Sequence, residues 1–218
     1  MPGFNPRVRL PGFITACFRH AIWRFKTNEK IVYLTFDDGP VPEITPWVIE
    51  LLQKENVSAT FFCVGENVQK YPEVYAQILA GGHSVGNHTF NHWQGLKKNN
   101  EDYFRNIEQA SEYIDSDLFR PPHGWLKLAQ YRHLKDSYRI VMWDLISCDY
   151  DQDLRAEQVF QNVRSYVRAG SIITFHDSIK AERNLKSALP KAIWWLKENG
   201  YRFEAIPYTK RKTTGRKT

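Results

Sequence analysis

From about residue 31 onward, short apolar runs rich in β-branched and aromatic residues alternate with amphipathic stretches. Runs of that length read as buried strands, and apolar positions recurring every three to four residues read as helices. The pattern predicts strands over Ile31–Phe36, Thr60–Val64, His83–Gly86, Leu118–Arg120, Arg139–Asp144, Ser171–Phe175 and Arg202–Ala205. Between them it predicts helices over Ile44–Lys54, Pro72–Ala80, Asn100–Ile114, Leu126–Lys135, Ala156–Arg168 and Leu185–Asn199. Pro46 and Pro72 fall in first turns, where the missing N–H costs nothing, and Gly81-Gly82, Gly170 and Gly200 follow helix ends, where a left-handed residue is expected. Strands separated by helices of this length argue for parallel β-α units, arranged as a barrel or as a doubly wound sheet. No internal repeat and no Ser/Gly-rich linker divides the chain, so one domain over about residues 28–208 is expected.

The ends differ from this body. Residues 12–25 fit an amphipathic helix with Phe13, Ile14, Cys17, Phe18, Ala21, Ile22 and Phe25 on one stripe. Packing against the body is the simpler expectation for that helix. Basic residues beside an apolar stripe also suit an anionic membrane surface. Residues 1–27 are therefore set apart as a basic extension and 209–218 as a basic, disordered tail.

Charge sharpens the division. The formal net charge of +6 suggests nucleic-acid or membrane partners. Yet residues 1–26 hold five cations (Arg7, Arg9, Arg19, Arg24, Lys26) and no acid, and residues 210–218 hold five more. The body between them is mildly acidic, so no nucleic-acid partner is expected. Composition is that of an ordinary globular domain, which excludes disorder and low complexity. Three cysteines without a CxxC pair suggest neither a disulfide framework nor a Cys-based zinc site. No stretch is long and apolar enough to span a bilayer, and Leu10–Trp23, broken by Pro11 and Arg19-His20, makes a poor cleavable signal. A cytoplasmic or membrane-surface location is expected rather than secretion; the sequence does not speak to oligomeric state.

Candidate chemistry collects at strand ends. Asp37-Asp38-Gly39 closes the first apolar strand; adjacent carboxylates there point different ways, so one can bind a metal while the other takes a proton. His88 and His92, at i and i+4 in Asn87-His88-Thr89-Phe90-Asn91-His92, are expected on one face of a helical turn. With one carboxylate they make a three-ligand set that leaves coordination positions open, as a catalytic metal site requires. Arg120, in Arg120-Pro121-Pro122-His123-Gly124, could pair with a carboxylate. His176, ending another strand, could act as a general acid. In a β/α barrel such strand ends converge on one face.

The succession TFDDG, H-T-x-x-H, R-P-P-x-G, a Trp/Asp-containing strand and x-x-H-D resembles the polysaccharide deacetylase family, the NodB homology domain of carbohydrate esterase family 4, over roughly residues 30–206. The resemblance implies an α/β fold, a distorted (β/α) barrel of about seven parallel strands. It implies metal-dependent removal of acetyl groups from N-acetylglucosamine-containing glycans or glycolipids. Asp38, His88 and His92 then match the metal ligands, with zinc the usual ion and cobalt or nickel able to substitute. Asp37 matches the base, ionised beside the cation and Arg120; His176 matches the acid, and Asp149 the carboxylate that orients it.

Three positions depart from the family pattern, and all fall in the implied substrate pocket. His123 stands where Tyr is usual, its backbone N–H still available to an oxyanion beside Gly124. Thr174 replaces the Leu that helps line the acetyl slot, and Tyr150 replaces a Trp. Trp125, Tyr150 and Trp93 are candidate sugar platforms, whereas Trp143, Trp194 and Trp195 are expected to pack in the core or under helices. The altered pocket leaves room for an O-acetyl esterase or a cyclic amide hydrolase on the same barrel. A non-catalytic glycan-binding domain is a further alternative, disfavoured by the complete set of base, ligands and acid.

Overall fold

A computed structural model describes residues 5–211. In chain order the elements are α1 (Gly12–Ala16), β1 (Ile31–Asp37), α2 (Thr45–Lys54), β2 (Thr60–Cys63), α3 (Gly65–Lys70), α4 (Pro72–Ala80), β3 (Ser84–Asn87) and α5 (Asn100–Ser111). They continue as β4 (Leu118–Phe119), α6 (Leu128–Leu134), β5 (Arg139–Ile140), β6 (Leu145–Ile146), α7 (Ala156–Tyr166), β7 (Ile172–His176), α8 (Glu182–Glu198) and β8 (Arg202–Phe203).

Seven parallel strands run in the order β5-β4-β3-β2-β1-β7-β6 and curl into a half-barrel, with β8 paired to the start of β1. Of the two arrangements the alternation allowed, the chain adopts the barrel-like one. Every residue of β1 is buried, as expected of a central parallel strand covered on both faces. Phe36, Phe61 and Phe175 fill the space between sheet and helices, where Val48, Leu52, Ile78, Leu185 and Ile193 join them.

The edges of the curl are β5 and β6, and the N-terminal segment spans the gap between them. Ile22 exchanges backbone hydrogen bonds with Ile140 and Met142 on one side, and Ile146 donates to the Val8 carbonyl on the other. Arg24 forms a bridge with Ser171, just before β7. Gly170 makes that crossing feasible: its φ is +76°, and a side chain there would sit 1.9 Å from the Phe25 carbonyl oxygen.

This arrangement corrects the helix expected over residues 12–25. Only Gly12–Ala16 is helical, because Ile22 and Arg24 are drawn into bridges with the barrel, and tertiary pairing overrides helical periodicity. Three more differences are local. The apolar run 139–144 is not one strand: β5 ends at Ile140 and a separate β6 begins at Leu145. Six-residue α3 went unpredicted, being too short to show a period. At the other end, Thr209 and Arg211 are tied to the body by hydrogen bonds to Asp117 and Asp115. The rest of the expected tail, 212–218, lies outside the described residues.

Candidate active site

β1 and β7 pair in register, Thr35 with Thr174 and Asp37 with His176. Alternation then turns Thr35 and Asp37 to the same side as Thr174 and His176. Arg120 enters this column from the end of β4 and is fully buried. Its Nη1 donates to Asp37 Oδ1 at 2.6 Å, to Thr35 Oγ1 at 2.8 Å and to Thr174 Oγ1 at 3.1 Å. Nε and Nη2 donate to the carbonyls of Val141 and Met142, and the guanidinium lies 4.0 Å from the centre of the Phe62 ring. So complete a set of partners is what allows an arginine to be buried.

The sequence pointed to charge as the factor that governs Asp37, and burial outweighs it. Burial pushes the Asp37 carboxyl above its ordinary range, against the pull of Arg120, and so raises its affinity for a proton.

Asp38 turns away from this column with φ +88°. Its backbone is held by Asn67 on α3, whose amide donates to the Asp38 carbonyl at 2.8 Å. Next to it, the Gly39 N–H donates to Asp177 Oδ1 at 3.0 Å, while Thr45 at the start of α2 donates to Asp177 Oδ2 at 2.6 Å. A side chain at Gly39 would come within 1.9 Å of Asp177, so only glycine fits under that clamp.

The two histidines meet Asp38, but not on a helix as expected. Residues 88–92 form an irregular loop with positive φ at Thr89 and His92. Asn106 on α5 fixes the loop by accepting from the N–H groups of Phe90 and Asn91. Asp38, His88 and His92 bring ligand atoms within 4.8 Å of one another. His92 Nε2 is 3.1 Å and His88 Nε2 3.8 Å from Asp38 Oδ1. His88 Nδ1 lies 2.7 Å from the Arg120 carbonyl oxygen, so it carries the proton and Nε2 turns its lone pair toward Asp38. Burial holds the His88 imidazole well below its ordinary pKa, which keeps it neutral. Burial opposes ionisation of Asp38, but the hydrogen bond from His92 and the nearby imidazoles hold its carboxyl well below the usual range.

On the facing side, His176 Nδ1 lies 2.8 Å from Asp149 Oδ1, and the His176 backbone N–H donates to Asp149 Oδ2 at 2.8 Å. Ser147 adds a hydrogen bond to Asp149 Oδ1. Burial works against a charged imidazole here, yet Asp149 prevails and the His176 pKa rises to about 9. The Tyr150 ring meets the His176 ring edge-on, with centroids 5.0 Å apart.

The remaining sequence candidates divide. His123, at φ +59°, packs its ring against that of His92 at 4.9 Å but stands outside the three-ligand cluster. Trp125, beside Gly124, is half exposed; Trp93 is partly buried, with the Lys98 ammonium 3.8 Å from its ring centre. Thr174 does not line an open slot: it is fully buried, and its hydroxyl meets Thr35 and Arg120. Trp194 is largely exposed rather than packed, whereas Trp143 and Trp195 pack against the core.

Sequence reasoning missed three residues that hold the site: Asn67, Asn106 and Asp177. A signal existed for Asn106, an amide on the buried face of α5 between Tyr103 and Ile107. Backbone strain marks the same region. Of the six non-glycine residues with positive φ among the described residues, Asp38, Thr89, His92, His123 and Cys148 belong to or adjoin the site.

The polysaccharide deacetylase family model matches residues 24–135. A peptidoglycan-N-acetylglucosamine deacetylase of Bacillus cereus is 33% identical, over 86% of this chain and 91% of the relative. A chitooligosaccharide deacetylase of Azorhizobium caulinodans is also 33% identical, over 71% of this chain and 77% of its own length. Among solved structures, a peptidoglycan N-acetylglucosamine deacetylase in complex with 4-naphthalen-1-yl-N-oxidanyl-benzamide superposes with a TM-score of 0.85 at 30% identity, covering 93% of this chain and 99% of that one. Matched by the family model across the β1 to α6 half and by relatives along most of their own length, this chain belongs to the polysaccharide deacetylase family.

Proposed function

We propose that the protein is a metal-dependent hydrolase that removes N-acetyl groups from N-acetylglucosamine-containing glycans. The observation that carries this reading is the register of β1 and β7, which sets Asp37 opposite His176 with Asp38 and its two histidines alongside. The names of the relatives support the substrate class.

The donor set fits a divalent cation. Two imidazoles and one carboxylate suit zinc, with cobalt or nickel as substitutes, and three protein ligands leave positions for water and substrate. A cation held by Asp38, His88 and His92 would supply Lewis acidity, polarising the acetyl carbonyl and acidifying water. Asp37, held by Arg120, takes the proton of the attacking water as its oxygen bonds to the acetyl carbon. The backbone N–H of His123 is the candidate donor to the oxyanion that forms. As the C–N bond breaks, protonated His176 gives its proton to the sugar nitrogen, and acetate and a free amine leave. Trp125 is the candidate platform for a neighbouring sugar ring.

Asp37→Asn is expected to lower acetate release from a chito-oligosaccharide by roughly 10²–10⁴-fold with metal content unchanged. His88→Ala is expected to lose metal. Wild-type turnover by Asp37→Asn would overturn the mechanism. Acetate release from acetylated xylan alone would move the reading to an ester hydrolase.

A further inference from the structure

The basic N-terminal residues have no part in the site above, but they converge elsewhere. A cavity of about 470 Å³ opens where residues 8–26 cross the gap between β5 and β6. Its volume falls in the range of small-molecule sites, roughly 300–1,000 Å³. Arg9, Arg24, Lys26 and Arg168 line it, with Trp23 and Trp143 as apolar wall. Asp144 is the one acid of the lining, and it is already saturated. Its Oδ2 accepts from Arg9 at 2.9 Å, from Arg168 Nε at 3.0 Å and from Ser171 at 2.6 Å, while Oδ1 accepts from Arg168 Nη2 at 2.6 Å.

Four cations thus face one carboxylate, and not all their donors are used. Arg9 spends Nε and Nη2 on Asp144 and the Tyr166 carbonyl, and Arg24 spends Nη1 on the Ala169 carbonyl. Among the described residues, Nη1 of Arg9, Nη1 of Arg168 and the Lys26 ammonium have no acceptor. Arg9, its side chain only 22% exposed, is repelled by Arg168, while Lys26 and Arg168 reach solvent, so the cavity joins a withdrawn guanidinium to exposed cations at its mouth.

We propose that this cavity binds a phosphate group, as a monoester or a diester. Donors from several side chains around one hollow suit a tetrahedral oxyanion; a planar carboxylate would be met by a single guanidinium fork and leave the others unspent. The bearer of the phosphate is a lipid headgroup or a soluble phosphate ester, and the test separates them.

Calorimetric titration of the full chain with inorganic phosphate, at constant ionic strength in chloride, is expected to show saturable binding. The double variant Arg24→Gln/Lys26→Gln should weaken it at least about tenfold. Phosphate taken up at the Asp38 cluster is common to both proteins and cancels in the difference. If the double variant fails to fold, Lys26→Gln alone gives the answer, since its ammonium has no acceptor among the described residues. Sedimentation with phosphatidylglycerol but not phosphatidylcholine vesicles, reversed by glycerol 1-phosphate, would assign a lipid headgroup. Glycerol 1-phosphate binding without vesicle sedimentation would assign a soluble ester. Absence of saturable phosphate binding, or equal binding by wild type and variant, would overturn the proposal.

Discussion

Two arginine–aspartate centres sit at opposite ends of the strands, the buried pair of Arg120 with Asp37 at the carboxyl ends and the partly exposed Arg9 and Arg168 with buried Asp144 at the amino ends. The first is balanced, one cation to one carboxylate, and closed on all sides by threonine hydroxyls, carbonyls and the Phe62 face. Such a centre fixes the direction of a carboxylate and has no charge to spare. The second carries two guanidiniums on one carboxylate, and Arg168 is half in solvent. The fold therefore uses the same chemistry twice, once to orient a group and once to hold two chain segments together with positive charge left over.

The contrast can be broken by substitution. Arg120→Leu should have the largest effect, because Asp37 would remain buried without a counter-charge; a loss of about 3–5 kcal/mol in urea denaturation is expected. A loss no greater than that of an exposed pair would show that water reaches Asp37 freely. Asp149→Asn tests the neighbouring pair. His176 with its pKa at about 9 is protonated below that pH and loses its proton above it, so activity should fall as pH rises through about 9. Without Asp149 burial of the imidazole is opposed only by the weaker pull of Asp38 and Asp37, and the alkaline limb of the pH–rate profile should move down by roughly 1–3 pH units. An unmoved limb would remove His176 from the role of acid. The smallest effect is expected at the seam: Arg168→Gln leaves Asp144 with Arg9 and Ser171, and should cost about 1 kcal/mol or less. A cost equal to that of Arg120→Leu would erase the distinction between the two centres.

The same contrast separates what could be read from sequence from what could not. β1, β2 and β7 are apolar runs, β1 and β7 ending in polar motifs, and their limits fall within a residue of expectation. Of the groups marked at strand ends, Asp38 meets His88 and His92, Asp37 meets Arg120 and pairs in register with His176, and His176 meets Asp149. Their supports were opaque because each acts through a side chain whose partner is distant in sequence, as Asp177 does for Gly39 and Asn106 for the histidine loop. The loop itself misled: i, i+4 spacing suits a helix, but positive φ at Thr89 and His92 brings the rings together another way. At the seam the local pattern points the wrong way. Residues 12–25 have a helical period, and only the presence of Val141 and Ser171 decides that they run extended at Ile22 and Arg24.

That dependence has a consequence in time. The seam segment pairs with residues more than a hundred positions later, so a ribosome releases it long before Ile140, Ile146 or Ser171 exists. It must wait, with Val8 and Ile22 unburied, until the edges of the curl have formed, and closing so long a loop is slow. Hydrogen exchange at the Ile22, Met142 and Ile146 amides would register the same order in reverse, as the gap that closes last opening first.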